Sequence, residues 1–262
     1  MVIKRILFGW VYCIFNRSEN KEKRGLNILA TWMAHFRIAE NLLNRGLRSS
    51  EKEFVVGNIG PDCGLPDPET GIFFPDKIVT HFKDEGKINP ELFLKKYIQE
   101  EDDFTDPRSS FYLGYYLHLV TDVEWSRMHR KKKKEPVYQD ILGTPGYTRA
   151  VKSDWYGADF VYLQENRNTI FHNVFQHIKS FPDYLDIFPE NQISTQIKRI
   201  TEFYLGDSYA FALEPDYRFD YLTPDEIARF VEETTEKLVE ILDSRFHRDT
   251  LWNMNRTNLM NT

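Results

Sequence analysis

From Leu26 onward apolar residues recur at spacings of three and four, with Ile28, Trp32, Ala39 and Leu42 sharing one face with His35. That is the period of an amphipathic helix, and Gly46, behind Asn44 and Arg45, is placed to close it. The stretch from Phe54 to Gly71 breaks the period. It holds Gly57, Gly60, Pro61, Asp62, Gly64, Pro66 and Pro68 and reads as a structured loop. Asn89, Pro90 and Glu91 supply an N-cap, a first-turn proline and a first-turn acid for a helix running to about Glu101. Ser109 or Ser110 caps the next, from Phe111 to about Arg127, whose residues are apolar nearly all round, so this helix is expected at the centre.

Lys131 to Lys134 marks a solvated loop or frayed end, and Thr144, Pro145 and Gly146 mark a turn. Helical stretches follow over about Tyr147 to Phe181, with a break near Asn166 to Asn168, and over about Ile193 to Tyr204. A last helix starts at Thr223, Pro224 and Glu226, which have capping-box spacing, and turns Ile227, Phe230, Val231, Leu238, Ile241 and Leu242 inward. No segment of any length has the period of a strand. The expectation is an all-α fold: a single helical domain over residues 26–246, an N-terminal extension over 1–25 and a loose tail over 247–262.

Composition sharpens this reading. Of 262 residues, 41% are hydrophobic and 15% aromatic, enough for a substantial core, so disorder does not describe most of the chain. The formal net charge of -6 argues against a surface built for nucleic acid, which enters only as a substrate. Two cysteines, Cys13 and Cys63, cannot supply the disulfide framework of a small secreted scaffold. The apolar stretch Ile6 to Phe15 follows Lys4 and Arg5, but no small-x-small cleavage site comes after it, which favours a cytoplasmic over a secreted location. It is also shorter than the about 20 residues a membrane-spanning helix needs.

Ionisable residues on apolar faces carry the chemistry. His118 and Asp122 stand at i and i+4 on the central helix and project from one face. A carboxylate buried without a partner costs several kcal/mol, so Asp122 requires a cation or hydrogen-bond donors. A helix-internal bond to His118 would supply a donor, and a shared metal ion would supply a cation. His35 lies on the apolar face of the first helix, Asp62 follows Pro61 in the loop, and His81 follows Thr80. Imidazole and carboxylate together suit zinc.

The ordered segments Ala34-His35-Phe36-Arg37-Ile38-Ala39, Gly57-Asn58-Ile59-Gly60-Pro61-Asp62, Thr80-His81-Phe82 and Gly114-Tyr115-Tyr116-Leu117-His118-Leu119-Val120-Thr121-Asp122 resemble the zinc-dependent phospholipase C family, distantly related to single-strand-specific zinc nucleases. The resemblance spans roughly Leu26 to Leu163. It implies a helical fold around one to three zinc ions and a phosphoric-ester hydrolase acting through a metal-activated water. The substrate would be a phospholipid or another phosphodiester, with room for peripheral contact with lipid. By position, it implies that His81, His118 and Asp122 bind one metal beside Asp62. Asp122 would bridge to a second metal on His35, and Asp62 would bind metal or act as the catalytic base.

Two departures accompany it. Secreted members of the family complete the His35-type site with an N-terminal tryptophan amine, whereas here His35 lies well inside the chain. A clean counterpart of the third metal set is also missing, leaving His129, Asp154 and Asp159 as candidates; His129, next to the lysine run, reads as solvated, and His172, His177 and His247 read as structural. Aromatic residues near the expected ligands, namely Trp32, Phe82, Tyr115 and Trp125, could line a lipid pocket or belong to the core. A noncatalytic helical protein that keeps zinc for stability or for a partner is the alternative.

Overall fold

The computed structural model describes residues 29–253. The expectations for 1–25, for Leu26 and Ile28, and for 254–262 lie outside the described residues. Within them the fold is all-α, with two minimal hairpins.

Thr31 caps α1 (Trp32–Asn44) by accepting from the Ala34 amide at 3.3 Å, and the helix buries Met33, His35, Phe36, Ile38, Ala39 and Leu42 on its inner face. The expected loop at Phe54 begins instead inside a helix, α2 (Glu51–Gly57), followed by a 3-10 turn at Gly60–Cys63. The reason is burial. Phe54, Val55 and Val56 are fully enclosed, and Gly57 serves as a contact glycine rather than a breaker. A Cβ on Gly57 would run into the Phe111 carbonyl oxygen, and one on Gly114 would run into the Phe54 carbonyl oxygen, so the two helices meet backbone to backbone.

The irregular part of that segment is the hairpin of β1 (Leu65–Pro66) and β2 (Phe73–Phe74), in which Leu65 faces Phe74. Gln192 staples it down, donating to the carbonyls of Cys63 at 2.8 Å and Phe74 at 2.9 Å. A short helix, α3 (Lys77–Thr80), leads to β3 (Lys83–Asp84) and β4 (Lys87–Ile88), and then α4 (Pro90–Tyr97) follows Asn89 as its proline predicts.

The central helix is α5 (Pro107–Lys132), longer at both ends than the sequence suggests. Its cap is Asp106, which accepts from the amides of Arg108 and Ser109, while the Ser110 hydroxyl donates to the Phe104 carbonyl instead. At the other end the helix runs into the lysine run, because the Lys132 ammonium is held by Glu226 at 2.7 Å and Glu135 at 2.8 Å.

After α6 (Pro136–Gln139), α7 (Tyr147–Glu165) stops at Asn166 and α8 (Ile170–Asn173) resumes, which matches the expected break. Next come α9 (Gln192–Leu205) and α10 (Pro224–Arg245), whose capping box is formed in both directions: the Glu226 amide donates to Thr223 Oγ1 and the Thr223 amide to Glu226 Oε2. Trp125, Trp155 and Phe230 meet edge to face and join α5, α7 and α10. Residues 247–253 are fastened rather than loose. After α11 (Arg248–Leu251), the buried Trp252 donates to Asp243 at 2.7 Å, and the Asn253 amide donates to Gly46 at 2.8 Å. No described helix is long and apolar enough to cross a membrane.

Candidate metal centre

Five ionisable side chains from four places in the chain converge beside the α2–α5 contact. α1 brings His35, the 3-10 turn brings Asp62, the C-cap of α3 is His81, and α5 contributes His118 and Asp122. His35, His81, His118 and Asp122 are fully buried, and Asp62 retains 9% exposure, so Asp62 marks the side open to solvent. Among the described residues their donor atoms form two overlapping groups, His35–His118–Asp122 and Asp62–His81–His118, in each of which the atoms lie within 4.8 Å of one another.

Asp122 is the hub. Its Oδ2 lies 3.1 Å from His118 Nε2 and 3.4 Å from His81 Nε2, and its Oδ1 lies 3.5 Å from His35 Nε2. The Ala30 amide, just before α1, donates to Oδ1 at 2.9 Å. The His35 and His118 rings stack at 3.8 Å, within 5° of parallel.

One hydrogen bond decides what this arrangement requires. His118 Nδ1 sits 2.7 Å from the Asn58 carbonyl oxygen, which can only accept, so Nδ1 carries the proton and donates. In the neutral ring, Nε2 then presents a lone pair toward the Asp122 carboxylate, and two acceptors face each other at 3.1 Å. A proton or a metal ion must lie between them. Three nitrogens of the set that face Asp122, Nε2 of His35, His81 and His118, have no hydrogen-bond partner, and neither does Asp122 Oδ2. Buried polar atoms left unpaired in convergence are what a metal ion would satisfy, and the residues present fit zinc.

The electrostatics agree. Burial and the neighbouring His118 push His35 down to about 4, which keeps its imidazole neutral, the form a metal would need. Burial opposes charge on Asp122 too, but His118, His35 and His81 outweigh it and hold the carboxyl well below its ordinary range. For His118 burial pulls down and Asp122 pulls up, leaving its pKa raised. Asp62 is likewise kept ionised against burial, chiefly by Lys77, whose ammonium is 3.2 Å from Oδ1. Its Oδ2 accepts from Trp32 Nε1 at 3.0 Å, and His81 Nε2 lies 3.5 Å from Oδ1.

The structure does not bring Asp154 and Asp159 into these groups. Asp154 accepts from the Tyr217 hydroxyl and the Tyr221 amide, both at 2.7 Å, and ties α7 to the segment before α10. Asp159 accepts from Thr31 and Tyr204, each at 2.8 Å, and burial raises its pKa to about 7. His129, expected in solvent, is buried between Trp155 and Tyr138, with Tyr147 Oη 3.2 Å from its Nε2. Its helix continues into the lysine run as far as Lys132, which turns His129 inward. Of the aromatic residues, Trp32 reaches the site directly, Phe82 and Tyr115 pack with Phe93, and Trp125 belongs to the α5–α7–α10 core. Lys77 and the carbonyl of Asn58 are site groups that sequence reasoning misses. A signal for the second exists, since Asn58 lies inside the segment Gly57 to Asp62.

No match emerges among curated proteins or solved structures. A family model described as zinc dependent phospholipase C matches residues 34–245, a span that runs from the residue before the first histidine of the centre to the end of α10. Since that match takes in most of the chain, the protein belongs to the zinc-dependent phospholipase C family.

Proposed function

We propose that the protein is a zinc-dependent hydrolase of phosphodiesters, with a phospholipid as substrate. The observation that carries this reading is the lone-pair conflict between His118 and Asp122 at the middle of a five-residue donor set. His81, His118 and Asp62 would hold one zinc, and His35 with Asp122 a second. When bound, zinc lowers the pKa of a water and offsets the charge of the phosphate under attack.

The chain's own groups supply the rest. The Asn58 carbonyl fixes the His118 tautomer, as outer partners of metal-bound imidazoles do. Trp32 and Lys77 each hold one oxygen of Asp62, which keeps this carboxylate ionised and oriented at the open side, as a zinc ligand there would need to be. For a lipid substrate the support is the rim. Ile72, Phe74, Ile78 and Val79 are 47%, 66%, 60% and 50% exposed, and they sit on the hairpin and helix on either side of Lys77. An apolar rim around a phosphoryl-directed site fits a phospholipid whose tails stay in the membrane.

The test pairs zinc content with hydrolysis of phosphatidylcholine, in vesicles and as the soluble dihexanoyl form, before and after chelation. Zinc-dependent release of phosphocholine is expected, and Phe74→Ser with Ile78→Ser should slow the vesicle reaction while sparing the soluble one. Zinc bound stoichiometrically without turnover of either form would replace this reading with that of a structural zinc protein.

A further inference from the structure

A cavity opens between α5 and α10, away from the donor set. Glu124, Arg127, Met128 and Lys131 line it from α5, and they lie roughly half a turn round that helix from His118 and Asp122. From α10, Phe230, Glu233, Thr234 and Lys237 face it at helical spacing. Its volume of about 420 Å³ is within the range of small-molecule sites. Phe230 is rooted in the core by Trp125, whose ring lies 4.9 Å away.

The charges around it are unevenly matched, with five cations against three carboxylates. Arg127 and Lys237 both reach Glu124, at 2.6 and 2.5 Å, and Lys132 reaches Glu226 at 2.7 Å. The Lys237 and Lys132 pairs cross from one helix to the other, at either end of the lined stretch. Between them stand Lys131 from α5 and Arg229 from α10, both exposed and without an ion-pair partner among the described residues, and the unpaired carboxylate of Glu233. Thr234, only 3% exposed, also lines the cavity, and its hydroxyl makes no hydrogen bond among the described residues. An anion would complete two unpaired cations and an unpaired hydroxyl around one cavity.

We infer that this cavity is a second ligand site, separate from the metal centre, and that it takes a soluble organic phosphate monoester. The excess of two positive charges matches a dianion. The three terminal oxygens of a phosphoryl group can accept from Lys131, Arg229 and Thr234 together, where a carboxylate offers two. Arg229 suits such an oxyanion because its planar guanidinium can donate twice. Met128 and Phe230 supply an apolar surface for the organic part of the ester. The ligand is soluble rather than a membrane lipid: none of the large exposed apolar side chains among the described residues, Phe74 and Ile78 included, lines the cavity.

The experiment titrates phenyl phosphate calorimetrically into the full chain, zinc-loaded and chelated, above about pH 7, where the ester is a dianion. Chelation removes any binding at the metal centre and should leave one binding event. Lys131→Met and Arg229→Met should each weaken that event about tenfold, and Arg229→Lys should recover part of the loss. Thr234→Val should cost about twofold to tenfold, whereas Glu233→Gln should tighten binding about twofold. Melting temperatures without ligand should not move in Lys131→Met or Arg229→Met, since neither side chain holds an ion pair. No binding by the chelated wild type, or wild-type affinity in Lys131→Met combined with Arg229→Met, would overturn the site. Benzoate bound as tightly as phenyl phosphate would overturn the phosphoryl assignment. Arg229-dependent binding of phosphatidate vesicles, with phenyl phosphate not bound, would overturn the soluble one. All of this is read without turnover, so it stands or falls separately from phosphodiester hydrolysis.

Discussion

Replacing Asp122 by Asn is nearly isosteric and keeps an oxygen for the Ala30 amide, but removes the charge on which His35, His81 and His118 converge. Removing one partner of a buried charged set costs about 3–5 kcal/mol, which corresponds to zinc affinity falling roughly 150- to 4000-fold. Zinc at about 1000 times the wild-type Kd stabilises the wild type by about 4 kcal/mol, a rise of about 8–16 °C in melting temperature for a domain of this size. At the same zinc concentration the variant should gain no more than about 1 kcal/mol. The apo proteins should behave differently. The carboxamide that Asp122→Asn introduces can donate to the His118 lone pair, so chelated variant and chelated wild type should unfold within about 1 kcal/mol of each other. Differential scanning calorimetry with and without zinc, together with elemental analysis of dialysed protein, reads both effects. An Asp122→Asn protein with wild-type zinc stoichiometry and wild-type thermal gain would refute the argument.

Three further outcomes follow from particular contacts. Gly114→Ala places a Cβ against the Phe54 carbonyl and the Asn58 amide, so urea titration should show a loss of about 1–3 kcal/mol, and zinc affinity should fall as the Asn58 carbonyl shifts from His118. Asp154→Asn disturbs its bonds to Tyr217 and Tyr221 and should cost about 1–3 kcal/mol with zinc stoichiometry unchanged; loss of zinc would return Asp154 to the metal set. Burial, helped by Lys133, lowers His129 from 6.5 to about 3, so the unfolded chain binds its proton first. Its contribution is whole above pH 6.5 and declines as pH falls toward 3. Chelated wild type should therefore lose about 2–3 kcal/mol more than His129→Phe between about pH 6.5 and 4.5, and parallel slopes in urea titrations would contradict the burial argument.

The centre is legible where residue spacing itself fixes geometry. His118 and Asp122 share a face because the helix repeats every 3.6 residues, and no other fact about the fold is needed. Asp62 and His81 are legible only through the order of short motifs, since nothing local in Gly60-Pro61-Asp62 tells that Trp32 and Lys77 will hold it. Gly57 misleads for a related reason. A glycine reads as a chain breaker when its missing Cβ is taken as freedom, but here the missing Cβ is a contact surface, and only the partner helix reveals that.

Asp159 shows how far an inward-facing acid can be from a ligand and still serve the same centre. Its two oxygens are taken by Thr31 and Tyr204, and Tyr204 also accepts from the Met33 amide, so this carboxyl clasps the first turn of α1. The residue just before that turn, Ala30, gives its amide to Asp122, and Trp32, just after Thr31, gives its indole to Asp62. Movement at Asp159 would thus reach both carboxylates of the centre through four consecutive residues, Ala30 to Met33. Sequence periodicity identifies such an acid as belonging to a polar network, whereas its place in that network depends on which neighbours reach its oxygens first. In this chain a hydroxyl at the N-cap and a tyrosine from α9 do so, and the carboxyl holds the scaffold on which the donor set is mounted.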